Sequence, residues 1–143
     1  MQFDIEIKKA DSTHINQLKA LWKVCFGDSD SYIDFFFENR FSSCYAIVCV
    51  CKHEVIGAMY LMPVKATVGK ILKSGFYEYA IGVLPQYRGK GIYLKMHEKT
   101  LEYINQNNMF CILSPANKKL SEYYLKQGFK KNAYVQEKIL RRR

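Results

Sequence analysis

The chain has 143 residues, 49% hydrophobic and 24% charged, with a net charge of +9; this suits one domain with a buried core, residues 1–143, and excludes disordered, collagen-like and disulfide-scaffold classes. No apolar run reaches the roughly 20 residues of a membrane span, and Asp4 and Glu6 stand where a secretory signal carries positive charge, so a cytoplasmic location and no membrane partner are expected. Cys25, Cys44, Cys49, Cys51 and Cys111 lack metal-ligand spacing, so no metal is expected, and such usage fits a reducing compartment.

Phe3, Ile5 and Ile7 alternate with polar residues, the pattern of a half-buried strand. Asp11 or Ser12 caps a helix carrying Ile15, Leu18, Trp22, Cys25 and Phe26 at helical spacing, and Gly27 ends it. The cluster from Asp28 to Ser31 caps a second helix through Glu38, whose three consecutive phenylalanines suggest burial on more than one side. Tyr45–Cys51 and Val55–Val68 read as long strands joined by a turn at residues 52–54, Gly69-Lys70 supplies another turn, and Phe76–Leu84 makes a fourth strand. Within Tyr45–Cys51, Cys49 and Cys51 share a face and pack as small hydrophobes.

After Pro85 the period becomes helical, through Ile92, Leu94 or Lys95, Met96, Lys99, Leu101 and Ile104, as far as the cluster at residues 105–108. Met109–Leu113 is a short apolar strand reached by a parallel crossover. Asn117 caps a last helix that Gly128 terminates, and Phe129–Leu140 supplies a last strand. The order β-α-α-β-β-β-α-β-α-β gives an α/β class with an α+β mixed sheet. From Lys118 onward nine basic residues oppose only Glu122 and Glu137, an end suited to a polyanion.

The junction from Val83 to Tyr93 is the most informative segment. A strand stops at Pro85, and two glycines and two cations deliver the chain to a helix start, where unpaired N–H groups and the helix dipole form an anion site. Glycine admits a phosphate to the backbone because no Cβ intervenes. The string is neither a Walker A loop nor a dinucleotide Gly-x-Gly-x-x-Gly turn.

Val83-Leu84-Pro85 followed by Arg88-Gly89-Lys90-Gly91-Ile92, with Asn117, Tyr124 and Gly128-Phe129 downstream, resembles the GNAT superfamily of acetyl-CoA dependent N-acetyltransferases. The first group matches the signature Arg/Gln-x-x-Gly-x-Gly/Ala, except that its sixth position is Tyr93, whose side chain must point away from the pyrophosphate. The stretch Trp22 to Asp28 looks like the start of the Eis-type branch, without that branch's C-terminal region. The fold this implies is the acyl-CoA N-acyltransferase fold with one C-terminal strand fewer than typical, and the incomplete sheet edge is a physical reason to expect a homodimer.

The resemblance implies that the fourth and fifth strands splay around pantetheine. Ile81, Gly82 and Val83 would line it with backbone groups, and the segment Arg88, Gly89, Lys90, Gly91, Ile92, Tyr93 and Leu94 would hold the pyrophosphate, with Asn117 also in the cofactor site. An amine of a small molecule, peptide or protein then attacks the thioester directly. A backbone N–H at Ile81 or Val83 serves the oxyanion, Tyr124 the departing thiolate, and Glu78 is a candidate base. Tyr77, Tyr79 and the phenylalanines are candidates for the acceptor groove, with core packing as the alternative. His97 reads as a surface or helix-packing residue. Rival readings are a non-catalytic acyl-CoA binding module and, less favoured, an RNA-binding domain using the basic end and the aromatic residues.

Overall fold

A computed structural model describes residues 4–113 and Lys126. The chain divides into two compact units, Met1–Cys111 and Ile112–Arg143. Apart from Lys126, the expected last helix and strand, with Asn117, Tyr124 and the basic end, lie outside the described residues.

Strand β1 (Glu6–Lys9) leads into a 3-10 turn at Ser12–His14 and helix α1 (Ile15–Phe26). Asp11, one of two expected caps, accepts from the Thr13 amide, while the His14 ring accepts from the Asp11 amide, so each side chain satisfies a backbone donor of the other end of the turn. Gly27 ends α1 at φ 66°, and its N–H bonds to Lys23 O. Helix α2 (Asp30–Asn39) starts at Ser29, whose hydroxyl accepts from the Tyr32 amide. Ion pairs Lys19–Asp34 and Lys23–Asp30 join the exposed sides of the two helices. Phe36 and Phe37 are buried, but Phe35 is 47% exposed. Consecutive residues on a helix point about 100° apart, so three in a row outreach one buried face.

Strands β2 (Tyr45–Cys51), β3 (Glu54–Val68) and β4 (Ile71–Val83) form an antiparallel meander. Its first turn, Lys52-His53, has φ of 49° and 69°, the doubly positive geometry that suits the twist of a two-residue hairpin. Strand β4 begins five residues before the expected Phe76. The tight turn at Gly69-Lys70 keeps Ile71 opposite Val68 and carries the ladder through Lys73-Ser74-Gly75, which have no strand pattern of their own. Pro63 lies beyond Leu61, the last β3 residue paired with β2, where its missing N–H breaks no bond to that neighbour.

Helix α3 (Ile92–Gln106) then leads to β5 (Phe110–Ile112). The sheet order is β1-β2-β3-β4-β5, with β1 to β4 antiparallel in consecutive pairs and the whole sheet mixed. At Gly75 an added Cβ would lie 2.6 Å from the Phe110 ring and carbonyl, so β5 approaches β4 where only glycine fits.

The sheet separates two cores. Helices α1 and α2 cover one face, where Leu18, Trp22, Ile33, Phe36, Val48 and Tyr60 pack together. Trp22 stands at the centre, with Phe36 at 4.7 Å and Tyr60 at 5.2 Å between ring centroids, and its indole N–H donates to Asp28. Helix α3 covers the other face with Ile92, Met96 and Ile104 against Ile47, Ile56, Met59 and Leu61. Cys49 and Cys51 are buried there as expected of small hydrophobes. Burial pushes the Cys49 thiol up to about 11, with the neighbouring Cys51 adding to the shift, and pushes Cys44 up to about 11 as well.

Candidate active site

The site begins with an irregularity in β4. Ala58 pairs with Gly82 but Tyr60 with Tyr79, so Ala80 and Ile81 together oppose Met59 alone. This is a β-bulge, and Ala80 takes φ of 49° to make it. A bulge unpairs backbone groups locally and bends its strand, the condition for offering N–H and C=O groups to a ligand in place of a neighbouring strand. Gly82 follows, and a Cβ there would meet Cys25 Sγ at 2.9 Å, so the glycine admits α1 to the end of β4.

Beyond Val83 the chain makes a 3-10 turn at Pro85–Tyr87. Arg88 folds back: its Nε donates to Val83 O at 2.8 Å and its Nη2 lies 3.7 Å from Cys25 Sγ. The Arg88 side chain thus clasps the loop to the strand that precedes it, and it engages the Val83 carbonyl that the family resemblance would give to pantetheine. Gly89 and Gly91 take φ of 77° and 78°, a region costly for residues with a Cβ. Gly91 is also the N-cap of α3 and no side chain caps that end. The first bond inside the helix runs from Lys95 N to Gly91 O, so the amides of residues 92–94 precede it. With Lys90 exposed beside them, these groups give the helix start the donors and positive dipole end that suit an anion.

The residues flanking the bulge face opposite sides. Tyr79 lies on the α1–α2 side, where its hydroxyl meets that of Tyr32 at 2.9 Å and its ring packs against Trp22 and Phe36; Tyr77 is 5.9 Å from it. Glu78 lies on the α3 side and is 3% exposed. Its Oε1 accepts from the Tyr93 hydroxyl at 2.8 Å, and its Oε2 shares a 2.6 Å hydrogen bond with His97 Nδ1 and accepts from the Cys111 thiol at 3.2 Å. Burial, then the carboxylate of Glu78, push the Cys111 thiol far above its ordinary value.

Of the expected site residues, Ile81, Gly82, Val83, Arg88, Gly89, Lys90, Gly91, Ile92, Tyr93 and Leu94 come together at the β4–α3 junction. Glu78, the residue expected as a base, meets this group through the Tyr93 hydroxyl, and its side chain has no exposed surface. The Tyr93 hydroxyl reaches Glu78, and its side chain packs against the core on the α3 side. His97 and Cys111 are the partners that sequence reading missed. The signal for His97 was its spacing of four from Tyr93 and five from Ile92 on a helix with a buried stripe; Cys111 carried none.

Among the described residues no helix is long and apolar enough to cross a membrane. The family model described as an acetyltransferase (GNAT) domain matches residues 6–131. Among solved structures, a predicted acetyltransferase of Clostridium acetobutylicum, crystallised with acetyl-CoA, is 19% identical with a TM-score of 0.76 over 94% of this chain and 95% of its own. AAC(6')-Iy, in complex with a CoA-S-monomethyl-acetylneamine bisubstrate analogue, is 18% identical with a TM-score of 0.75, covering 98% and 99%. The aminoglycoside 6'-N-acetyltransferase AAC(6')-Ih of Acinetobacter baumannii is 14% identical with a TM-score of 0.69, covering 94% and 98%. Comparison with curated proteins by sequence gives no match, and nothing among these findings supports the Eis-type branch. A bulged β4, a doubly left-handed glycine loop, an uncapped helix start and a domain match across most of the chain have one common explanation: the protein belongs to the GNAT acetyltransferase family and is an acyltransferase.

Proposed function

We propose that the protein moves an acetyl group from acetyl-CoA to a primary amine by direct attack within a ternary complex. The observation that carries the reading is the Gly89–Gly91 loop, whose two left-handed glycines present the amides of residues 92–94 at an uncapped helix start. Those amides supply donors and a positive dipole end to a pyrophosphate. A backbone N–H of Ile81 or Val83, at or just beyond the bulge, would take up the negative charge that builds on the thioester oxygen.

The amine nitrogen forms a bond to the acetyl carbon, the carbon–sulfur bond breaks, and the departing thiolate takes a proton from Tyr124 in the same role as the family's tyrosine. The neutral amine's nitrogen, positively charged in the tetrahedral adduct, loses its proton to water, and water returns a proton to Tyr124. Glu78 is not given that proton, because its carboxylate is enclosed by Tyr93, His97 and Cys111.

Calorimetric titration of acetyl-CoA against the wild type and Gly91→Glu tests the donor site. Gly91→Glu adds a side chain and a negative charge to a φ of 78°, and binding in the micromolar range is expected to be lost. Tyr124→Phe should retain donor affinity and lose turnover by about 100-fold, the range for a general acid. A folded wild type that binds no acetyl-CoA overturns the proposal; donor binding with no turnover on any amine would instead support a non-catalytic acyl-CoA module.

A further inference from the structure

Tyr93 occupies the signature position that family resemblance gives to glycine or alanine, one residue into the helix that would hold the donor's pyrophosphate. A large side chain here either obstructs the loop or is tethered elsewhere. It is tethered: its hydroxyl donates to Glu78 Oε1, and one turn later on the same helix His97 bonds to Oε2. The two rings stack, with centroids 5.5 Å apart and planes 17° from parallel. Each carboxylate oxygen therefore holds a different turn of α3, which fixes how far the helix is rotated about its axis as well as where it sits.

Strand β4 cannot release this grip cheaply. The Glu78 side chain is without exposed surface, and the Cys111 thiol of β5 also bonds to it, so a carboxylate that turned away would give up three hydrogen bonds without gaining water in their place. Fully satisfied buried networks of this kind hold a single geometry. The same carboxylate also links α3 to the two strands that form the walls of the implied pantetheine groove.

We propose that Glu78 is a positioning residue, which through Tyr93 and His97 sets the rotation of α3 and so aims the amides at its start toward the donor's pyrophosphate. The inference rests on the acetyl-CoA reading above. It also accounts for the departure of Tyr93 from the signature: the bulky residue supplies a strut where the family's small residue leaves space.

The test is a cycle of Tyr93→Phe, Glu78→Gln and the double variant, titrated with acetyl-CoA and with 3'-phospho-ADP, the pyrophosphate-bearing half of the same molecule. Each single variant should weaken both ligands by about three- to tenfold, the range for one lost hydrogen bond. The double variant should be no weaker than the weaker single, because Tyr93→Phe removes a link that Glu78→Gln already disturbs. The amide resonances of residues 91–94 should move in Tyr93→Phe, which a role confined to packing would not require. Affinity within twofold of wild type in Tyr93→Phe, or a melting-temperature loss with affinity unchanged, overturns the proposal. If Glu78→Gln does not fold, Tyr93→Phe decides alone through the two ligands. A wild type that binds neither ligand refutes the donor reading itself, and this inference with it; a wild type that binds both while Tyr93→Phe is unaffected refutes only this one.

Discussion

Cys111 stands next to a carboxylate that Tyr93 and His97 already share, and this makes it a hydrogen donor rather than a nucleophile. Burial and then Glu78 hold its proton on, and burial alone dominates at Cys44 and Cys49, which are pushed up to about 11. A thiol alkylates as its thiolate. With iodoacetamide at pH 8, mass spectrometry should find Cys44, Cys49 and Cys111 modified much more slowly in the native protein than after denaturation. The sign for stability follows. These folded values lie above the unfolded thiol's value of 9.0, so their contribution is complete below pH 9 and is lost as pH rises through about 11. At this scale the sequence was legible where spacing matters, as in Gly89 and Gly91, and silent where a partner arrives from a distant strand. Glu78 was a candidate base from its place on the fourth strand; its neighbours in space lie 15, 19 and 33 residues away.

Among the elements, hairpins carry most of the agreement and most of the error. Both turns of the meander were legible, Gly69-Lys70 from its glycine and residues 52–54 from the break between apolar runs. The register beyond Gly69 was not, since Lys73-Ser74-Gly75 enter β4 by being paired rather than by their own preference. The bulge was equally hidden, because Tyr79-Ala80-Ile81 reads as ordinary strand sequence while Ala80 takes φ of 49°. The first turn offers an experiment. Lys52 and His53 hold positive φ without being asparagine or glycine, whereas Asn-Gly prefers that geometry. Lys52→Asn with His53→Gly should raise stability by about 0.5–1 kcal/mol, read as roughly 2–4 °C in melting temperature. The Gln17 side chain bonds the His53 carbonyl, a backbone group the substitution keeps.

Over the whole molecule, the order of the first eight elements was readable because each change of hydrophobic period coincided with a capping residue or a glycine. Nothing in the sequence said how the sheet would divide its burial. In the structure it separates an aromatic core around Trp22 under α1 and α2 from a mostly aliphatic one under α3, and each half of the candidate site borrows from one of them. Tyr79 extends the aromatic core toward the bulge, while Ile92 and Tyr93 root the glycine loop in the aliphatic core and its polar neighbours. The chain has one tryptophan, and Trp22 is 1% exposed at the centre of the aromatic side, 6.0 Å from the Tyr79 ring. Emission excited at 295 nm therefore comes from one face of the sheet alone. It should be blue-shifted in the native protein and move to the red in denaturant only when α1 and α2 leave the strands. An event confined to α3, including loosening of the glycine loop, should leave that signal unchanged, so the protein carries its own optical means of telling which side of its sheet has opened.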